Sequence, residues 1–225
     1  MYKKLFAFTL AEVLLTMTIV GVVAAMTIPT LHYSRAKKEY SAKLKNFYSR
    51  VNNAILDMEI DKGSFRNLTP VTDADATKAK NKGFQWWLDY IDPYMGHANI
   101  VDNGNNKAIY FKDGSSARIN YTNQTFLEVT YDVNGDKAPN KLGFDRFLFV
   151  FAFDDTHRKS CFGNVNTNFG PYCPMGESIA GLTRETLIKR CKSGYDDGTY
   201  NNGTWCVKLL ENDQWEFKSD YPLKF

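Results

Sequence analysis

The chain has 225 residues, 44% of them hydrophobic and 24% charged, with a formal net charge of +3. That composition excludes a disordered tail and fits one modest folded domain with an appended segment. The slight basic excess makes no case for a nucleic-acid partner, which needs a clustered basic face.

Phe8 to Leu31 reads FTLAEVLLTMTIVGVVAAMTIPTL, twenty-four residues with one charge, Glu12. At about 1.5 Å per residue the run is long enough to cross a bilayer core of about 30 Å. Ahead of it stands MYKKLFA, in which Lys3 and Lys4 form a basic n-region of the kind that stays cytoplasmic. Three readings compete: a signal peptide cut after Ala25, an uncleaved signal anchor, and a short leader removed just before Phe8. Glu12 separates them. The apolar part of a signal peptide runs unbroken for about 7–15 residues, whereas here a carboxylate lies inside the run, where deep burial costs about 2.5–3.5 kcal/mol. Pro29 is expected to kink or loosen the preceding turn. Arg35, Lys37 and Lys38 follow the span closely, on the side where positive charge is usually scarce.

The residues Ala7, Phe8, Thr9, Leu10, Ala11 and Glu12 closely resemble the cleavage motif of type IV prepilins and type II secretion pseudopilins, with Ala7 where those proteins most often carry Gly. The resemblance implies a dedicated aspartyl prepilin peptidase that cuts between Ala7 and Phe8, followed by N-methylation of Phe8. It further implies partners: other pilin or pseudopilin subunits, an inner-membrane assembly platform and a motor ATPase. The implied location is the bacterial cytoplasmic membrane, with the head extracytoplasmic. Apart from the family, a cut there creates an α-amine at Phe8 one helical turn from Glu12, and each neutralises the other's charge. In the family picture Glu12 of one subunit meets the Phe8 amine of its neighbour, so a carboxylate that is costly alone becomes a register device.

Beyond the span, Tyr40, Leu44, Phe47, Val51, Ile55 and Met58 recur at intervals of three and four, with Lys43, Lys45, Arg50 and Asp57 between them. This predicts an amphipathic helix, continuous with the first, whose stripe packs on the protein's own sheet. It should run to about Ile60 and stop at Asp61, Lys62 and Gly63, with Gly63 as cap. The basic run from Arg35 to Lys45 is read as a solvated face, with anionic headgroups or neighbouring subunits as alternatives. A connector from Ser64 to Ile100 carries a helix over Ala74 to Ile91, and its Trp86, Trp87, Tyr90 and Tyr94 are read as core rather than as a ligand shelf or a subunit contact. Strands follow at Lys107 to Lys112, Ala117 to Tyr121 and Thr125 to Tyr131, with a turn at Asp113 and Gly114. Phe147, Phe149, Phe151 and Phe153 alternate with Leu148, Val150 and Ala152. Both faces of that strand are apolar, which places it centrally, under the stalk helix.

Between two strands, Asp132, Asn134, Asp136 and Asp145 form an oxygen-rich series, the candidate ligand set for calcium. It is no EF-hand, since Gly135 stands fourth rather than sixth and no Glu closes the loop. The simpler reading is a turn punctuated by Asn134-Gly135 and Pro139-Asn140. The arrangement also resembles a loop of a subset of bacterial prepilin-type proteins, a group in which major pseudopilins bind calcium in their β-region. Cys161, Cys173, Cys191 and Cys206 all lie in the last third, an even count that points to two disulfides in an oxidising compartment. Of the three pairings, Cys161 with Cys173 and Cys191 with Cys206 are favoured because each closes a short loop. Zinc lacks a C-x-x-C pair or a nearby His. A helix is expected over Arg184 to Lys192 after Thr183, then a closing hairpin of Thr204 to Leu210 and Trp215 to Lys218. Asp154, Asp155 and His157 are read as a turn, and no nucleophile motif, phosphate loop or zinc-protease signature points to an enzyme.

The predicted fold is α+β: a long N-terminal helix, half transmembrane and half amphipathic, packed on an antiparallel β-sheet with a disulfide-bonded C-terminal region. Residues 1–7 are the leader, 8–31 the membrane or filament-core helix, 32–62 the stalk and 63–225 the head. The expected role is a structural subunit of a pilus or pseudopilus. The alternative is a minor pilin acting as an adhesin or DNA-uptake module.

Overall fold

A single helix, α1 (Leu10–Lys62), runs for 53 residues, about 80 Å at 1.5 Å per residue. The computed structural model describes residues 8–68, 73–104, 106–122, 125–173, 178–179, 181–193 and 203–223. The helix begins at the Thr9 cap, stays helical through Pro29, and ends where Gly63 takes φ 87°, a conformation only glycine adopts without strain.

The head follows in chain order as α2 (Ala76–Tyr90), α3 (Asp92–Met95), β1 (Asn99–Asn103), β2 (Asn106–Tyr110), β3 (Ser116–Thr122), β4 (Phe126–Asp132), β5 (Arg146–Ala152), α4 (Asp155–Phe162), β6 (Phe169–Pro171), α5 (Arg184–Ser193) and α6 (Cys206–Asn212). The six strands form one antiparallel sheet in sequential order, β1 and β6 at its edges. In the register, Val129 on β4 lies between Ile119 on β3 and Phe149 on β5. Successive side chains of a strand point to opposite faces, so the alternating Phe residues of β5 reach one side together.

That side meets the upper half of α1. Leu44, Phe47, Val51, Ile55 and Met58 are buried against it, as the stripe predicts. Phe47 stacks on Tyr131 with centroids 3.9 Å apart and meets Phe149 edge-on at 5.3 Å. Trp86 and Trp87 are buried in the same core, Trp86 edge-on to Phe151 and Phe153. The other face of β4 and β5 carries a smaller core of Phe126, Leu148, Val150, Ile179 and Trp205 around the Cys161–Cys173 disulfide. Both faces of β5 are therefore covered, consistent with its unbroken apolar composition.

The disulfides pair as expected, Cys161 with Cys173 and Cys191 with Cys206. The second joins α5 to the start of α6. Gly143 and Gly203 make the close approach beside it possible: a Cβ on Gly143 would stand 2.6 Å from the Cys206 Sγ, and one on Gly203 2.1 Å from the Leu142 carbonyl oxygen.

The predicted closing hairpin is corrected: residues 206–212 form the helix α6, burying Val207, Leu209 and Leu210, and Trp215 follows in a tight turn rather than a strand. The polar turn at Asp154 and Asp155 is the start of α4, whose Asp154 carboxylate accepts from the His157 backbone N–H at 2.7 Å. The expected connector ends in the strand β1, and the short β6 extends the sheet past β5.

Candidate functional site

The N-terminal end of α1 is organised by Thr9 and Glu12. Glu12 Oε2 accepts from the Thr9 backbone N–H at 2.9 Å and from its hydroxyl at 2.8 Å, while Thr9 Oγ1 accepts from the Glu12 N–H at 3.2 Å. This capping box answers donors that a helix start leaves without intrahelical partners. Sequence reasoning singled out Glu12 but missed Thr9, although a Thr three residues before a Glu at the head of an apolar run is the signature of this motif. Phe8 is fully described beside it; Ala7 lies outside the described residues.

From Phe8 to Leu31 every large apolar side chain is at least 37% exposed. The head covers none of this surface, and the helix is long and apolar enough to cross a membrane. Three of its hydroxyls turn inward on the backbone: those of Thr16, Thr18 and Thr27 donate to the carbonyls of Val13, Leu14 and Val23 at 2.9, 2.8 and 2.9 Å. A helix in hydrocarbon needs this, since lipid offers no partner for a free hydroxyl. Phe8, Glu12, Val13 and Thr16 line a shallow groove at its tip.

The predicted cation loop separates into two parts. Asp132 and Asp145 are buried, with the Asn134 side-chain amide between their carboxylates. Asp145 accepts from the backbone N–H groups of Asn140 at 2.8 Å and Lys141 at 2.6 Å. Asp132 accepts from Arg146 Nε at 2.9 Å and from the Asn134 N–H at 3.2 Å. Burial pushes the Asp132 carboxyl up despite the Arg146 guanidinium beside it. Asp136 stands apart, held by the Tyr110 hydroxyl and Arg118, which keep its carboxyl below the usual range. Three of the four predicted ligands thus meet and the fourth does not. Among the described residues no group of three or more His, Cys, Asp or Glu side chains is placed to hold a metal ion. The loop is anchored by its own donors onto buried carboxylates, as an Asx-rich turn is.

The sheet face turned away from α1 bears a groove of about 460 Å³ lined by Arg118, Asn120, Glu128, Thr130, Arg146 and Tyr172, among others. Glu128 accepts from Asn120 Nδ2 at 2.8 Å, and burial pushes its carboxyl up. A register shift in β3 between Ile119 and Tyr121 accompanies this pairing. Sequence alternation alone does not reveal such a shift, so Glu128 was not singled out.

No curated protein matches the chain, and no solved structure does. Residues 30–225, which take in the stalk and the head but stop short of most of the exposed apolar run, match the model of a family of unknown function, DUF6613, and the chain belongs to that family.

Proposed function

We propose that the chain is a prepilin-type structural subunit, cut between Ala7 and Phe8, methylated at Phe8 and assembled through α1 into a type IV pilus or a type II secretion pseudopilus. One observation carries this reading: a carboxylate, Glu12, capping the first turn of a helix whose apolar surface is left uncovered over more than twenty residues by a head that packs only on its other half. Such a helix needs lipid or the helices of further copies around it. The head then faces away from the cytoplasm, where its two disulfides persist. Partners under this reading are a prepilin peptidase, an assembly platform with its motor ATPase, and other subunits.

Glu12 has two tasks in the reading. Before assembly it caps its own helix through Thr9. Within the filament it pairs with the Phe8 amine of a neighbour, which makes alignment specific rather than merely apolar. Mass spectrometry of the mature protein tests the processing: a methylated Phe8 start is expected, and an intact Met1 or a Met26 start overturns it. Glu12→Leu should be processed yet excluded from filaments, and incorporation at the wild-type level removes Glu12 from the assembly step.

A second reading, a minor pilin that displays a binding module, draws on the polar groove around Glu128 and Asn120. Saturable glycan binding by the full-length chain, lost in Glu128→Ala, would favour it.

A further inference from the structure

Residues 32–50 carry six basic side chains and one acidic one, a net of +5 against +3 for the whole chain. Five of the six fall into two groups, and the sixth, Lys37, is half-buried. Lys43 and Arg50 are turned onto the head, donating to the Val133 carbonyl at 3.0 Å and the Met95 carbonyl at 2.7 Å. Glu39, the single acid, is engaged by Lys43 at 3.1 Å. Arg35, Lys38 and Lys45 are exposed, on the side of α1 opposite the buried Leu44, Phe47 and Val51.

Distance along the helix sorts these three. The apolar run ends at Leu31, so Arg35 lies about 6 Å and Lys38 about 10 Å beyond it, while Lys45 lies about 21 Å beyond. A headgroup layer is roughly 5–8 Å deep on each side of the core, and electrostatic reach in physiological salt is about 8 Å. Arg35 and Lys38 fall within that reach, as does the half-buried Lys37 at about 9 Å, and Lys45 does not. Tyr33, 51% exposed, sits at the same level, where amphipathic aromatic rings favour the membrane interface.

We infer that Arg35 and Lys38 form a basic collar that binds the anionic phospholipid headgroups of the leaflet facing the head, and so fixes the depth of α1 before assembly; this rests on the proposed membrane-spanning role of residues 8–31. The collar explains two features together. Positive charge on the head side runs against the usual bias and needs a compensating anion. Arg35 is also 23 residues from Glu12, about 35 Å along the helix; with Arg35 about 6 Å outside the hydrocarbon, Glu12 falls about 29 Å into a layer of roughly 30 Å, at its far edge. A collar seated in one headgroup layer therefore holds Glu12 at the opposite interface instead of in the apolar interior.

The test uses the full-length chain in phosphatidylcholine vesicles, with spin-labelled phosphatidylglycerol or spin-labelled phosphatidylcholine as reporter of the lipid contacting the helix. Wild type should prefer the phosphatidylglycerol label by at least about fivefold at low salt, the effect of one basic residue near a charged surface, and the preference should fall as salt rises. The double variant Arg35→Gln, Lys38→Gln should cut the preference at least about fivefold, and Lys45→Gln should keep it. Equal contact of both labels with wild type, or a preference undiminished in the double variant, overturns the collar alone. A chain that restrains neither label overturns the spanning reading and the collar with it.

Discussion

The two halves of α1 are built from similar apolar side chains and meet opposite surroundings. In residues 10–31 the apolar residues cover the whole circumference and none is covered by the head; in residues 40–58 the large ones other than the exposed Leu56 form one stripe packed on the sheet. The difference shows that what matters is the arrangement of apolar residues and not their number. A stripe can be satisfied by one sheet, whereas an apolar circumference needs a surrounding medium. The head should then be a stable body that depends on the upper half of the helix and is indifferent to the lower.

The largest expected effect breaks the upper half. Phe47 stacks on Tyr131, meets Phe149 and Phe169 edge-on and is nearly inaccessible to solvent. Phe47→Ala should cost the head about 3–5 kcal/mol, a fall in Tm of about 6–20 °C for a domain of this size. Thermal unfolding of the full chain in detergent, followed by near-ultraviolet circular dichroism, reads it. A fall of only a degree or two would mean that the stalk is not part of the core.

The next effect lies away from α1 and asks whether the C-terminal region is held by its own staple. Cys191 and Cys206 close a loop of 15 residues, for which chain entropy gives about 3 kcal/mol. Replacing both by Ser should lower the head's Tm by that equivalent and expose the α5–α6 pair to proteolysis first. An unchanged urea midpoint would show that packing around Gly143 and Gly203 already suffices.

A smaller effect concerns the charges that join α5 to the chain after α6. Arg184 reaches Asp213 through two nitrogens at 2.6 and 2.8 Å and Asp220 at 2.7 Å, while Lys218 adds a contact to Asp213 at 2.9 Å. Burial acts to raise the Asp213 carboxyl, but Arg184 and Lys218 outweigh it and hold it low; Arg184 also holds Asp220 low. Folded carboxyls that titrate below the unfolded value of about 3.9 stabilise the head above that pH and lose the contribution as pH falls through their lower folded values. Asp213→Asn should therefore cost about 1–2 kcal/mol at neutral pH and flatten the acid limb of a stability-against-pH curve measured in urea. An acid limb that matches wild type would remove this cluster from the acid response.

The comparison also marks what a sequence discloses. Both halves of α1 and the two covered faces of β5 were legible because apolar periodicity reports the number of covered faces directly, although β5 lies next to the edge strand β6 and not at the centre of the sheet. The disulfide pairing was legible because short loops close most readily. The C-terminal helix α6 was not: in CVKLLEN, Val207 and Leu209 alternate as a strand would, while Val207 and Leu210 stand at helical spacing, and tertiary packing beside α5 decides. α4 was hidden by composition, since DTHRKSCF buries only Arg158 and Cys161. β6 contains Gly170 and Pro171 in three residues and survives as an edge strand, where proline needs no ladder partner for a missing N–H. At the candidate site, Glu12 stood out as a lone charge, but the grouping of Asp132 with Asp145 and the separation of Asp136 depend on a loop path that residue spacing does not encode.

The smallest predicted effect is the one that most sharpens the contrast. Ile19 is 56% exposed in the middle of the apolar run. Ile19→Ala removes several methyl and methylene groups, as a core substitution would, yet those groups touch only the surrounding medium. Detergent or lipid tails solvate the side chain in the folded and unfolded head alike, so the change cancels in the head's unfolding equilibrium and should stay within about 0.5 kcal/mol. Measured beside Phe47→Ala in the same detergent, it asks whether one continuous helix serves as two independent elements. A loss approaching that of Phe47→Ala would mean that the lower half folds back onto the head, and that the uncovered apolar surface on which the proposed membrane and filament roles both depend is occupied by the protein itself.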